Sequence, residues 1–151
     1  MKTLTSSGPT DLAARFATPL PPALRAEAAD MDWSTFTDTY APTSGPIRLG
    51  TWNTSRAPHD LVHCQATIDT GATVAPISAT ATGAIAGLSD MLYQLHLGVE
   101  IIGLHQYSHA GGSTTFLLCE RDGRRSWSMG SGAGGEESAL SALIAAANRL
   151  S

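Results

Sequence analysis

Two glycine-rich segments have the residue types to hold an anion. Thr82-Gly83-Ala84-Ile85-Ala86 and the run Gly132-Ala133-Gly134-Gly135 each lead into an apolar stripe of helical spacing. A helix start leaves backbone N–H groups unpaired and carries a partial positive charge, so it suits a carboxylate or phosphate. The same glycines would also allow close packing of helix on sheet. Between the two segments, His105, Tyr107 and His109 fall at alternate positions, which is one face of an extended strand. A neutral imidazole both donates and accepts. These twelve residues form the candidate ligand-binding set, with His105, Tyr107 and His109 as its polar side. The glycine run lacks the Lys-Ser/Thr ending of a phosphate-binding loop, and the acidic residue and parallel βαβ context of a dinucleotide site, so no cofactor is expected.

Other chemistry is weaker. His59, His63 and Cys64 lie close in sequence, but their spacing matches no closed zinc motif, and no metal is expected. Cys64 and Cys119 make no disulfide framework; each sits in a strand-like apolar run, which predicts buried free thiols. No Ser-His-Asp, Cys-His or carboxylate pair stands out. Asp69-Thr70-Gly71-Ala72 resembles the signature of retropepsin-like aspartic proteases, and Ile101-Ile102-Gly103 mimics their second motif. Such enzymes bring two carboxylates together across a dimer axis, where they share a proton. Asp and Gly are equally the residues of a hairpin turn. An Asp69 in such a turn ends the peptidase alternative.

The bulk numbers bound what remains. The 151 residues carry nine Lys and Arg against thirteen Asp and Glu, a net charge of −4. Nucleic-acid binding needs clustered cations to displace counterions, and no basic stripe exists. Arg121, Arg124 and Arg125 form the only tight basic group and read as a solvated hairpin tip. No signal peptide and no apolar run of about 20 residues is present, so the expectation is a soluble, cytoplasmic protein without membrane contact.

The elements that must position these residues come in a recognisable order. Residues 1–9 read as loose, and Thr10-Asp11 as the start of a short helix broken by Pro19. A second short helix begins at Pro21-Pro22. Asp32 is placed as the N-cap of a helix over residues 33–40, whose Trp33, Phe36 and Tyr40 share one face. From Ile47 the texture is that of strands. Two hairpins are expected, around Asp69-Thr70-Gly71 and Asp122-Gly123, with Pro76 pushing its strand to a sheet edge or bulge. Gly83 and the second glycine run then open helices, and Gly98 is the expected cap ending the first of these. Gly123 follows Gly71, Gly135 follows Gly83, and Leu140 follows Leu88, each by 52 positions. A unit repeated in this way cannot bury its apolar face alone, so the copies must pack together. The predicted class is α+β: two pseudo-symmetric βββα units with helices on antiparallel sheet, after short linker helices.

From Ala66 to Leu150 the chain resembles the C-terminal regulatory domain of 2-isopropylmalate synthases. The residues that carry this are the helix start at Thr82-Gly83-Ala84-Ile85-Ala86, Tyr107-x-His109-Ala110, Gly111-Gly112-Ser113 and the closing Ala147-Asn148-Arg149. Residues 1–46 then read as a lead-in resembling the linker subdomain, and 47–151 as the regulatory-type repeat domain. The resemblance implies a homodimer that binds leucine or a related carboxylate near the helix starts. It also implies a partner, a catalytic synthase subunit of branched-chain amino-acid biosynthesis, on which the chain acts in trans. A chain of 151 residues has no room for a (β/α)₈ barrel of about 250 residues, so the expectation is a non-enzyme. This chain has His105 where the family usually carries an acidic residue, and Gln106 where an aromatic follows. A purely structural dimerisation module is the remaining alternative.

Overall fold

A computed structural model describes residues 20–42 and 45–151. The expectations for residues 1–9, the helix from Thr10-Asp11 and Pro19 lie outside the described residues. Among the described residues two helices come first: α1 (Pro22–Glu27), with proline in its first turn, and α2 (Trp33–Tyr40). Asp32 caps α2 as expected, its Oδ1 accepting from the Thr35 N–H at 2.7 Å. That hydrogen bond holds the Asp32 carboxyl below its ordinary pKa.

Six strands and two longer helices follow. Strands β1 (Arg48–Arg56), β2 (Val62–Asp69) and β3 (Val74–Ala81) precede α3 (Ala84–Gln94). Strands β4 (Glu100–His109), β5 (Gly112–Arg121) and β6 (Arg124–Gly132) precede α4 (Gly135–Leu150). The strands form two antiparallel three-stranded sheets, β1-β2-β3 and β4-β5-β6. Pro76 sits on an edge strand in unbroken register with β2, where its missing N–H costs no ladder bond. The architecture is α+β, as expected.

The repeat is real but its period is shorter than the glycines imply. Leu49 pairs with Ile68, and Ile101 pairs with Cys119; the first strands correspond at 52 positions and the second strands at 51. Each first strand bulges at that point, between Leu49 and Trp52 and between Ile101 and Gly103. The N-caps of α3 and α4 are Gly83 and Gly134, again 51 apart, so Gly135 is already helical and is not the partner of Gly83. The two glycines of the hairpins misalign because their turns differ. Both turns have the same length, since Asp69↔Val74 corresponds to Glu120↔Arg125, but the glycine takes the first central position in one (Gly71, φ 93°) and the second in the other (Gly123, φ 79°, after Asp122 at 52°).

One apolar core belongs to both units. Ile68, Leu88, Met91 and Leu92 from the first unit pack with Leu117, Leu140, Leu143 and Ala147 from the second. Close approach requires missing side chains. A Cβ on Gly130 of β6 would lie 2.2 Å from the Ala142 N of α4, and one on Gly87 of α3 would lie 2.6 Å from the Cys64 Sγ of β2. The outer face of the second sheet is covered by the lead-in, where Leu20, Leu24, Phe36 and Tyr40 pack on Phe116, Trp127 and Met129. Tyr40 Oη donates to Glu27 at 2.6 Å, and the Arg149 guanidinium lies 4.8 Å from the centre of the Tyr40 ring. Arg149 also donates to the Trp127 carbonyl. Burial, reinforced by Glu27, pushes the Tyr40 phenol well above its ordinary pKa. Asn148 brackets Ile47, donating to its carbonyl and accepting from its N–H, both at 2.9 Å.

Helix ends are closed in two ways. Arg121, at the β5–β6 hairpin, donates to the His96 carbonyl at 3.0 Å, and Arg124 to the Leu150 carbonyl at 2.7 Å. The basic group is therefore more than a solvated tip, since two of its members satisfy orphan carbonyls at helix ends. The residue in left-handed conformation after α3 is His96 (φ 62°), not Gly98. Leu97 N–H bonds to the Leu92 carbonyl at 2.8 Å and His96 N–H to the Tyr93 carbonyl at 3.1 Å, the pattern of a Schellman cap. A non-glycine residue there is strained, whereas glycine is not. His96→Gly is expected to raise stability by about 0.5–1 kcal/mol after allowing for glycine's extra unfolded-state entropy. Urea denaturation of the two proteins measures this; a midpoint that falls contradicts it.

Candidate functional site

Both glycine segments are helix starts, as expected. Gly83 and Gly134 are extended N-caps, and neither helix has a side-chain cap hydrogen bond. A Cβ on either glycine would meet nothing within 4 Å, so both starts open onto free space. Thr82, Ala133 and Gly134 are exposed, while Gly83, Ala84, Ile85, Ala86, Gly132 and Gly135 are half-buried. The first turn of α4 carries Glu136 and Glu137, which complement the helix dipole from within the chain.

His105, Tyr107 and His109 do share one face of β4, but that face is turned away from the start of α4. His105 lies 6.0 Å from Trp127 and Tyr107 lies 6.1 Å from Phe116, centroid to centroid. Trp127 and Phe116 belong to the cluster under the lead-in. His109 bonds to Thr114 Oγ1 at 3.0 Å on the same side. The intervening residue, Gln106, points to the helix. Its Nε2 donates to the Gly135 carbonyl and to Thr115 Oγ1, both at 2.9 Å. Thr115 Oγ1 meets Ser138 Oγ at 2.7 Å, and Ser138 donates to the Gly135 carbonyl at 3.0 Å. The polar side of the α4 start is thus Gln106, Thr115 and Ser138. Period-two alternation places Gln106 opposite the histidines, but only the packing of α4 decides which side faces it.

Asp69 ends β2 at a hairpin. Its Oδ1 accepts from the Gly71 N–H at 2.9 Å, and the Thr70 N–H bonds to the Thr73 carbonyl at 2.9 Å. Its counterpart 51 positions on is Glu120, paired with Arg125 at 2.7 Å. The Asp-Thr-Gly is a turn whose carboxylate stabilises the turn itself, and the peptidase reading does not survive that placement. The histidine–cysteine group also disperses. His59 lies in the β1–β2 turn at φ 62°, and His63 bonds to Thr80 Oγ1 at 3.1 Å, while Cys64 is buried on the opposite face. Among the described residues, no three His, Cys, Asp or Glu side chains gather around a common point. Among them too, no helix is long and apolar enough to cross a membrane.

No family model matches the chain. It is similar to a 2-isopropylmalate synthase. The relative is that of Leifsonia xyli subsp. xyli (strain CTCB07), 27% identical over 129 residues that cover 78% of this chain and 22% of that protein. The chain therefore spans about a fifth of the length of the curated relative it matches. The likeness to a synthase is to part of it.

Both cysteines are free and buried, as expected. Burial pushes the Cys119 thiol up to about 12 from an ordinary 9.0. Burial, with the Glu136 charge second, raises Cys64. A thiol raised on folding contributes stability that is complete below its unfolded pKa and is lost as pH rises through its folded one. Stability is therefore expected to fall between pH 9.0 and about 12 through Cys119, and Cys119→Val to make that fall shallower. A thiol-specific chromogenic reagent at pH 8 is expected to label neither cysteine until denaturant is added. Rapid native labelling of either one contradicts this.

Proposed function

We propose that this chain is a non-catalytic, regulatory-type domain that binds a small amino-acid-like or carboxylate ligand at its helix starts and forms a homodimer. The observation that carries the reading is the matched pair of open glycine N-caps, Gly83 and Gly134, with no side chain satisfying the first-turn donors. Both helix C-termini, in contrast, are closed by arginine side chains. Similarity to part of a 2-isopropylmalate synthase supports leucine as the first candidate ligand. It also supports a synthase of branched-chain amino-acid biosynthesis as the protein on which the domain acts in trans. In this reading the ligand carboxylate meets the N–H groups at the helix starts. Gln106 Oε1, beside Gly135, serves as an acceptor for a ligand amino group. His105, Tyr107 and His109 then support the sheet from its lead-in side.

Isothermal calorimetry with leucine, isoleucine, valine and the matching 2-oxo acids is the direct test, with sedimentation to compare the solution mass with twice the 15.7 kDa chain. Silence across the panel at millimolar concentration leaves only dimerisation. Gly83→Asp and Gly134→Asp give a sharper test, because a side-chain carboxylate at the N-cap occupies the donors a ligand would use. Each variant is expected to gain a few tenths of a kcal/mol in stability while losing ligand binding. Unchanged affinity in both variants removes the helix starts from the site.

A further inference from the structure

A concavity of about 450 Å³ lies between the end of the lead-in, the start of β1, and the β6–α4 pair. It falls in the size range of small-molecule sites, about 300–1,000 Å³. It is separate from the helix starts, since neither Gly83, Gly134 nor Gly135 lines it. Its walls are aliphatic, with Ile47, Leu49, Leu140 and Ile144 facing Met129. The wall at Ile47 is held in place by the Asn148 amide, which bonds both backbone groups of that residue. Arg48 stands at the rim. Its Nε reaches the Gly45 carbonyl at a long 3.5 Å, and it forms no ion pair with any of the described residues.

The first unit also has a hollow where Ser78 and Gln94 stand, of about 540 Å³, but it is lined by different chemistry. Fifty-one positions before Ala145 and Met129 stand Gln94 and Ser78. There the Gln94 side chain donates to the Ser78 carbonyl at 3.0 Å, bridging helix to strand across the space that Ala145 leaves open. Fifty-two positions after Arg48 stands Glu100, of opposite charge. The second copy has Ala145 where the first has a bridging glutamine, and its hollow has at the rim a cation that makes no ion pair with any of the described residues.

We propose that this hollow binds a small aliphatic monocarboxylate, its tail against Leu49, Leu140 and Ile144 and its carboxylate on Arg48. An occupant touches the lead-in, the first unit and the second at once, because Ala41 and Pro42 complete the lining.

The probe is 4-methylpentanoate, with the neutral 4-methylpentanamide as its match in shape, titrated into the ¹⁵N-labelled chain. Saturable amide shifts are expected at residues 48–50, 130–131 and 141–145. The acid is expected to bind about fivefold more tightly than the amide, the scale of a rim-exposed ion pair. Arg48→Gln is expected to bring the acid down to the affinity of the amide. Ser141→Trp, at an exposed position on the rim, is expected to abolish binding of both while leaving the circular dichroism and melting curve unchanged. The site is overturned if the acid gives no saturable shift at millimolar concentration, or if acid and amide bind the wild type equally. Shifts confined to residues 83–86 and 134–137 also overturn it, and would assign the acid to the helix starts instead.

Discussion

The structure depends on one constraint: neither βββα unit can bury its own apolar face. Each has a three-stranded sheet and one helix, and the apolar residues of both units meet in one cluster. The solution is a common interior in which α3 and α4 both pack. Helix α4 carries the larger share, with nine of its sixteen residues buried. It must present apolar surface to its own sheet on one side and to α3 and the first sheet on another. That explains its composition. Ala139, Ala142, Ala145, Ala146 and Ala147 keep the helix thin where it is surrounded, and Leu140, Leu143 and Leu150 fill the wider gaps. The same demand for closeness removes the side chain at Gly130, where the α4 backbone lies directly on β6.

The packing sets the polarity of the helix ends. At the C-termini, Arg121 and Arg124 come from one hairpin and reach carbonyls at the ends of both helices. A single turn thus closes two orphan sets, and its charges have the sign that helix C-termini favour. At the N-termini the chain does the opposite. Glycine caps supply no oxygen to the first-turn donors, although Ser, Thr, Asp or Asn there would be stabilising. Both glycines are extended and unobstructed, so neither conformation nor crowding requires the absence of a side chain. An uncapped, open helix start where a better cap would fit is the kind of local cost that binding sites retain.

Most elements were legible because their signals are local. The Asp32 cap, the Trp33–Phe36–Tyr40 face, the Asp122-Gly123 turn and both glycine helix starts need only neighbouring residues to be read. What the sequence hid depends on long-range geometry. Matching glycine to glycine and Leu88 to Leu140 gives a period of 52, whereas strand pairing and helix caps give 51 after the first strand. Gly98 looked like the end of α3, yet the left-handed turn falls at His96, where the Leu97 N–H reaches back to Leu92. His105, Tyr107 and His109 were correctly placed on one face. Which face that is depends on a bulge at Ile101–Gly103, marked only by Gly103 within the strand, and on where α4 docks, which no local residue marks. Gln106 therefore faces the helix start, and the histidines face the lead-in.

The lead-in is held by the same helix whose start is open. Helix α4 runs about 24 Å from Gly135 to Leu150 as an unbroken rod. At its far end Arg149 binds the Trp127 carbonyl and stacks on Tyr40, which in turn holds Glu27 of α1. Asn148, one residue earlier, fixes the first residue after the lead-in loop. A displacement of α4 along β6 cannot be absorbed at Gly130, where helix and strand backbones already touch. The open Gly134 start and the anchorage of the lead-in thus sit at the two ends of one rigid element.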